Sequence, residues 1–217
     1  MNKDLVMQNS FNYFKHSIEI FKKHNINWFA ESGTALGCIR HRGFIPWDHD
    51  IDIGINVNQL NLFLSLQDEF KKYGLEIIGT DGHRRRNIEE PIVKKYIDDM
   101  QKPDFCKNLD FGRGNGNYYD KNKTQFGFFF KLRSFKRDSW EIDVFPYAKQ
   151  YNTDKYFPTA YVSTGWKRNF FLRNIDNIIY CRFETLIIPI CVSTFEYLIQ
   201  LYGKYCLVDD GSGKNNI

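Results

Sequence analysis

Phe11, Phe14, Ile18 and Phe21 recur at steps of three and four between polar neighbours, which is the apolar stripe of an amphipathic helix. The pattern predicts its end near His24 and Asn25. Residues 26–30 then read as a short buried strand. Turn character at Gly33 gives way to the helical spacing of Leu36 and Ile39, before Gly43 and Pro46 force an irregular loop. From Asp50 to Ile55 carboxylates alternate with isoleucines, a strand period. Leu60, Phe63, Leu66 and Phe70 restore the helical period behind Asn58, a residue suited to the N-cap. A strand over 75–78 is expected next.

From residue 81 to residue 125 the chain turns polar and glycine-rich, with HRRR at 83–86 and GRGNGN at 112–117, and periodicity fades. This stretch is expected to be an insertion or a mobile lid. Residues 126–132 and 140–145 have strand composition around a charged connection, and predict a hairpin. Ser193-Thr194-Phe195-Glu196 has the form of a capping box opening a helix through Tyr202, with Gly203 where a terminating glycine belongs. The closing GSGKNNI is expected to fray.

A chain of 217 residues with 42% hydrophobic and 17% aromatic content buries a real core and is expected to form a single domain over 1–217, with an insertion near 81–125. Its 30 basic and 26 acidic side chains leave +4, too small an excess to mark a nucleic-acid binder. The N-terminus lacks the apolar run of a signal peptide, and no stretch reaches a membrane span. Five cysteines, odd in number and without a C-x-x-C pair, read as free thiols of a reducing compartment. Asn122-Lys123-Thr124 fits a glycosylation triplet by chance.

Chemistry concentrates in residues 31–54, ESGTALGCIRHRGFIPWDHDIDIG. Side chains alternate along a strand, so Asp50 and Asp52 share one face and the isoleucines the other. Adjacent carboxylates repel unless a cation lies between them, and a hard cation such as Mg²⁺ takes oxygen ligands while keeping positions for substrate phosphates. A solvated strand face is the plain alternative for an isolated Asp-x-Asp. Against it stand Asp48 at the same period, the packed isoleucines, and Gly33-Thr34 at a strand-helix turn, which offers N–H groups and a hydroxyl to an anion. A second acid-bearing strand carries Asp143 between Ile142 and Val144. As the neighbour of the first it would complete a three-carboxylate cluster for one or two metals; otherwise Asp143 is an ordinary edge carboxylate.

Secondary candidates surround this set. Arg40, with His41 and Arg42, is placed to reach a diphosphate or simply to be solvated at a helix end. Trp47 is suited to stack on a base or sugar, or to serve as core. Lys131 and Arg133 share a strand face and are phosphate candidates. HRRR reads as a surface charge run, or as steering charge if the insertion closes over the site. The glycines at 112–116 do not join a strand to a helix, so they are no dinucleotide fingerprint. Phe128 to Phe130 and Phe170-Phe171 read as core.

A strand-Gly-Thr turn followed by an Asp-x-Asp strand and a later lone-Asp strand resembles the nucleotidyltransferase superfamily. More specifically, GTALGCIRHRGFIPWDHDIDIGI, the later IDVFPY and the ending EYLIQLYGKY resemble the LicD/fukutin family over residues 26–205, loosely in 81–125. The resemblance implies an α/β (α+β) fold: a small mixed sheet with carboxylates on one face and helices on the other. It implies transfer of a phospho-alcohol, phosphocholine or ribitol phosphate, from a CDP-alcohol donor to a glycan acceptor with release of CMP. Asp50 and Asp52 would then be ligands of Mg²⁺ or Mn²⁺ and Asp143 the third carboxylate, as metal ligand or base, with Gly33 and Thr34 on a phosphate. His49 and Ser32 stand where an acid and a glycine are common in the family. Fukutin-type members carry a membrane anchor that is absent here, which implies a cytoplasmic, LicD-like setting. Two alternatives remain: nucleotidyl transfer from an NTP with release of pyrophosphate, and a non-catalytic glycan- or nucleotide-binding module.

Overall fold

In the computed structural model, which describes residues 2–80, 84–102, 129–150, 152–159 and 171–208, the first helix, α1 (Lys3–Lys23), starts at Asn2, whose side chain accepts from the Asp4 N–H. It ends at His24, as the apolar stripe predicts. Phe14 and Phe21 of that stripe are fully buried, with Phe11 and Ile18 packed at the rim. The short strand follows as β1 (Trp28–Ala30), then α2 (Ser32–Arg40) and β2 (Ile51–Asn56). The expectations placed on residues 112–117, Phe128, Phe170, Asn122, Cys106 and the closing seven residues lie outside the described residues.

The expected helix over 60–70 is broken. A 3-10 turn at Val57–Gln59, capped by Asn56 rather than Asn58, leads into α3 (Leu60–Ser65) and α4 (Gln67–Lys72). At the break Leu66 N–H bonds to the Phe63 carbonyl at 3.1 Å, and each short helix buries one phenylalanine, Phe63 and Phe70, against Phe21. Next come β3 (Leu75–Thr80) and β4 (Arg85–Asn87), then α5 (Pro91–Met100), which buries Val93, Ile97 and Met100 at helical spacing. Part of the stretch expected to be an insertion or a mobile lid therefore carries regular structure, β4 and α5. Its few apolar residues lie between lysines and aspartates, and only the burial of one face reveals the period.

The predicted hairpin is present as β5 (Phe129–Ser134) and β6 (Ile142–Lys149), paired antiparallel. It is followed by β7 (Lys155–Pro158), β8 (Leu172–Arg173) and a separate hairpin, β9 (Ile178–Phe183) and β10 (Leu186–Cys191). The main sheet runs β1-β2-β6-β5-β3-β4, with β7 and β8 added beyond β6. It is mixed: β2 and β6 are parallel, whereas the other pairs are antiparallel. One face of β2 holds Ile51, Ile53 and Ile55, all fully buried. Val144 and Phe130 continue that apolar face, with Phe63 of α3 edge-on to Phe130. The fold is thus the expected α/β arrangement, with helices against the isoleucine face.

α6 (Thr194–Tyr202) ends at Gly203 as the sequence predicts, yet its capping box is not formed. Ser193 Oγ instead accepts from the Arg173 N–H at 2.9 Å and donates to the Arg173 carbonyl at 3.0 Å, which fastens the helix start to β8. Among the described residues no helix is long and apolar enough to cross a membrane.

Candidate active site

Alternation along β2 leaves Asp52 on the face opposite the isoleucines, and the parallel register sets Asp52 directly beside Asp143 of β6. Asp50 stands just ahead of β2. One carboxylate oxygen from each of Asp50, Asp52 and Asp143 lies within 4.8 Å of the others. Asp52 and Asp143 are buried, whereas Asp50 reaches solvent. The sequence expectation of neighbouring acid-bearing strands is realised, and Asp143 lies in the interior of the sheet rather than on its edge.

Burial and the neighbouring carboxylates, Asp50 first, hold the Asp52 carboxyl well above the ordinary range. Asp143 is pushed up to about 7 by burial, against the lowering effect of Lys131, and Asp48 to about 7 by burial and then by Asp50. Crowded, poorly hydrated oxygens of this kind are hard donors whose mutual repulsion a divalent cation relieves. The donor set fits Mg²⁺ or Mn²⁺ on chemical grounds.

The first turn of α2 is built around Asp52. Gly33 N–H donates to Asp52 Oδ2 at 3.1 Å, Asp52 N–H donates to Thr34 Oγ1 at 2.8 Å, and Glu31 N–H donates to the Asp52 carbonyl at 3.1 Å. Gly33 and Thr34, expected on a phosphate, therefore hold Asp52 in this structure, Gly33 by its carboxylate and Thr34 by its main-chain N–H. A Cβ on Gly33 would fall 2.2 Å from Asp48 Oδ2 and 3.3 Å from Asp52 Oδ2, so only glycine leaves room for both acids.

The basic candidates divide. Lys131 Nζ donates to both oxygens of Asp143, at 2.6 and 2.9 Å, and lies 3.3 Å from Glu141, which also pairs with Arg85 at 2.7 Å. Arg133, two residues along the same face, is turned instead to Glu76, at 2.6 and 2.9 Å. Arg40 donates to the Cys206 carbonyl at 3.0 Å and lies over the Trp47 ring at 5.7 Å, while Trp47 meets His41 edge-on. Arg40 thus ties α2 to the turn at 203–206 while Trp47 packs on Arg40 and His41, and among the described contacts neither meets the carboxylates. Within HRRR, Arg85 joins the Glu141 network and Arg86 pairs with Glu90.

Sequence reasoning passed over Glu31, Tyr147, Tyr197 and Tyr202. Tyr147 and Tyr197 donate their hydroxyls to Glu31 Oε1. Burial raises the Glu31 carboxyl, which the hydrogen bonds from Tyr197, Ser32 and Tyr147 oppose. Burial, then Asp52 and Glu31, drive the Tyr202 phenol well above its usual value. One signal was legible: counting by twos from Asp143 puts Tyr147 on the carboxylate face.

A mixed sheet with three clustered carboxylates on and beside two parallel strands, next to a strand-Gly-Thr-helix turn, is the arrangement that the resemblance to nucleotidyltransferases implies. Residues 25–90 match the family described as LicD/FKTN/FKRP, nucleotidyltransferase domain, in agreement with the resemblance read from the motifs. The lipopolysaccharide cholinephosphotransferase LicD of Haemophilus influenzae is 32% identical over 48% of this chain and 35% of its own length. An uncharacterized protein of Rickettsia typhi is 43% identical over 29% of the chain and 20% of its own length. Human ribitol 5-phosphate transferase FKRP is 34% identical over 19% of the chain and 8% of its own length. The chain therefore spans about a third or less of these curated relatives. Among solved structures, the lincomycin-bound lincosamide adenylyltransferase LnuA covers 89% of this chain and 86% of its own at 12% identity and a TM-score of 0.43, a likeness too slight to bear on function.

Proposed function

We propose that this protein is a metal-dependent transferase that moves a phospho-alcohol, phosphocholine or ribitol phosphate or a related group, from a CDP-alcohol to a glycan hydroxyl and releases CMP. The observation that carries this reading is the Asp50, Asp52 and Asp143 cluster on a chain whose residues 25–90 match the LicD/FKTN/FKRP nucleotidyltransferase domain and which is similar in part to LicD and FKRP. Asp50, Asp52 and Asp143 would hold Mg²⁺ or Mn²⁺, which when bound neutralises charge on a diphosphate.

The remaining chemistry belongs to the chain. The acceptor oxygen attacks the phosphorus that bears the alcohol, the bond from that phosphorus to the CMP oxygen breaks, and CMP leaves with the electron pair. Catalysis of such a transfer is mainly positioning and charge stabilisation. Gly33 and Thr34 hold Asp52 in place, and Lys131 supplies a positive charge beside Asp143. Asp143 is alternatively the base that takes the acceptor proton, in which case Asp50 and Asp52 hold the cation.

Chromatography of reactions with CDP-choline, CDP-ribitol, CDP-glycerol and CTP, each with Mg²⁺ or Mn²⁺, tests the proposal. CMP release from a CDP-alcohol, lost in Asp50→Asn, is expected. Pyrophosphate from CTP with no CMP from any CDP-alcohol would replace it with nucleotidyl transfer.

A further inference from the structure

Glu31, at the junction of β1 and α2, is 1% exposed and joins four elements. Its Oε1 accepts the Tyr147 hydroxyl of β6 at 2.9 Å and the Tyr197 hydroxyl of α6. Its main-chain N–H donates to Asp52 of β2, and its carbonyl accepts from Ala35 N–H at 2.9 Å, closing the first turn of α2. The next residue, Ser32, has φ 40. A non-glycine residue in the left-handed region costs about 1 kcal/mol or more and persists where its surroundings hold it. Gly33 and Thr34, which grip Asp52, follow immediately.

We propose that Glu31 is a positioning residue that, braced by the Tyr147 and Tyr197 hydroxyls, locks the strained first turn of α2 against β2 and so sets the Asp52 carboxylate for cation binding. This rests on Asp50, Asp52 and Asp143 being the cation site. Glu31 lies outside that cluster and acts through the backbone of residues 31–34. The tyrosines tie the site to both β6 and α6, which gives the C-terminal helix a part in shaping a centre otherwise built from β2 and β6. Removing groups that orient metal ligands typically weakens metal binding by about 10- to 100-fold.

The test is calorimetric titration of Mn²⁺ into wild type, Asp52→Asn, Glu31→Ala, Glu31→Gln and Tyr197→Phe, with circular dichroism to establish that each variant is folded. Asp52→Asn is expected to abolish binding and Glu31→Ala to weaken it at least about tenfold. Glu31→Gln keeps an oxygen for both hydroxyls and should stay close to wild type, while Tyr197→Phe should fall between. If Glu31→Ala does not fold, the Tyr197→Phe and Glu31→Gln pair carries the test. Wild-type affinity in folded Glu31→Ala or in Tyr197→Phe overturns the positioning role and leaves the Asp52 site standing. Unchanged binding in Asp52→Asn overturns the site itself, and a wild-type protein that takes up no Mn²⁺ overturns both.

Discussion

Replacing Gly33 with alanine perturbs the site by a single methyl group. The new Cβ lies 2.2 Å from Asp48 Oδ2 and 3.3 Å from Asp52 Oδ2, whereas carbon and oxygen in contact need roughly 3.4 Å or more. Asp48 must therefore withdraw by about 1.2 Å, and Asp52 by a few tenths of an ångström while still bonded to the Gly33 N–H. Asp48 has a short side chain, so withdrawal means rotation about Cα–Cβ and loss of the 3.0 Å bond that it accepts from His49 N–H. The helix itself gains, because alanine in place of glycine favours the helical state by about 0.5–1 kcal/mol. Disturbing the groups that surround and orient metal ligands costs about 10- to 100-fold in metal affinity. Gly33→Ala should therefore keep its melting temperature within a few degrees while Mn²⁺ affinity falls about tenfold, or about 1.4 kcal/mol. Calorimetric titration beside a thermal melt measures both. Wild-type affinity in a folded variant, or a collapse of stability without a change in affinity, would refute this account of why glycine stands there.

Three further outcomes are expected. In metal-free protein Asp48 and Asp143 keep protons to about 7, against the 3.8 of an unperturbed carboxyl; the folded state then binds more protons than the unfolded between those values. Stability is greatest below the lower value and declines as pH rises through that window. Melting temperature should drop from pH 5 to 8 without metal, whereas Mn²⁺ affinity should climb over the same range because binding displaces those protons. Lys131→Met removes the cation that lowers the Asp143 carboxyl, so the onset of Mn²⁺ binding should move up by about one pH unit or more in calorimetry across pH. Gly54→Ala would put a Cβ 2.3 Å from two ring carbons of Phe29 and, as overpacking, should cost about 1–3 kcal/mol in denaturant unfolding.

The legible parts of the fold were those whose period matches their burial. α1 and the Asp-Ile alternation of β2 follow directly from spacing, and the pairing of Asp52 with Asp143 needed only the inference that two acid-bearing strands adjoin. The break at Leu66 was invisible because α3 and α4 keep the helical spacing of Phe63 and Phe70 across it. Ser193 matches a cap by residue type, yet its hydroxyl bonds to β8, a tertiary contact that no local pattern encodes. The hairpin of β9 and β10 escaped because both of its faces carry apolar side chains, including exposed Tyr180 and Ile187, so alternation is lost. At the site, carboxylates announce themselves by charge. Glu31 and its tyrosines work through hydroxyl bonds between residues more than a hundred positions apart, and Gly33-Thr34 is as well suited to a carboxylate as to the phosphate that the motif suggests.

The proposed transfer requires attack on the phosphorus that carries the alcohol. Water in place of the glycan cleaves CDP-choline to CMP and phosphocholine whichever phosphorus is attacked, so ¹⁸O-water read by mass spectrometry separates the two routes. Metal-dependent incorporation of ¹⁸O into phosphocholine, lost in Asp143→Asn, is the result predicted; ¹⁸O in CMP would contradict it and place the attack on the nucleotide phosphorus.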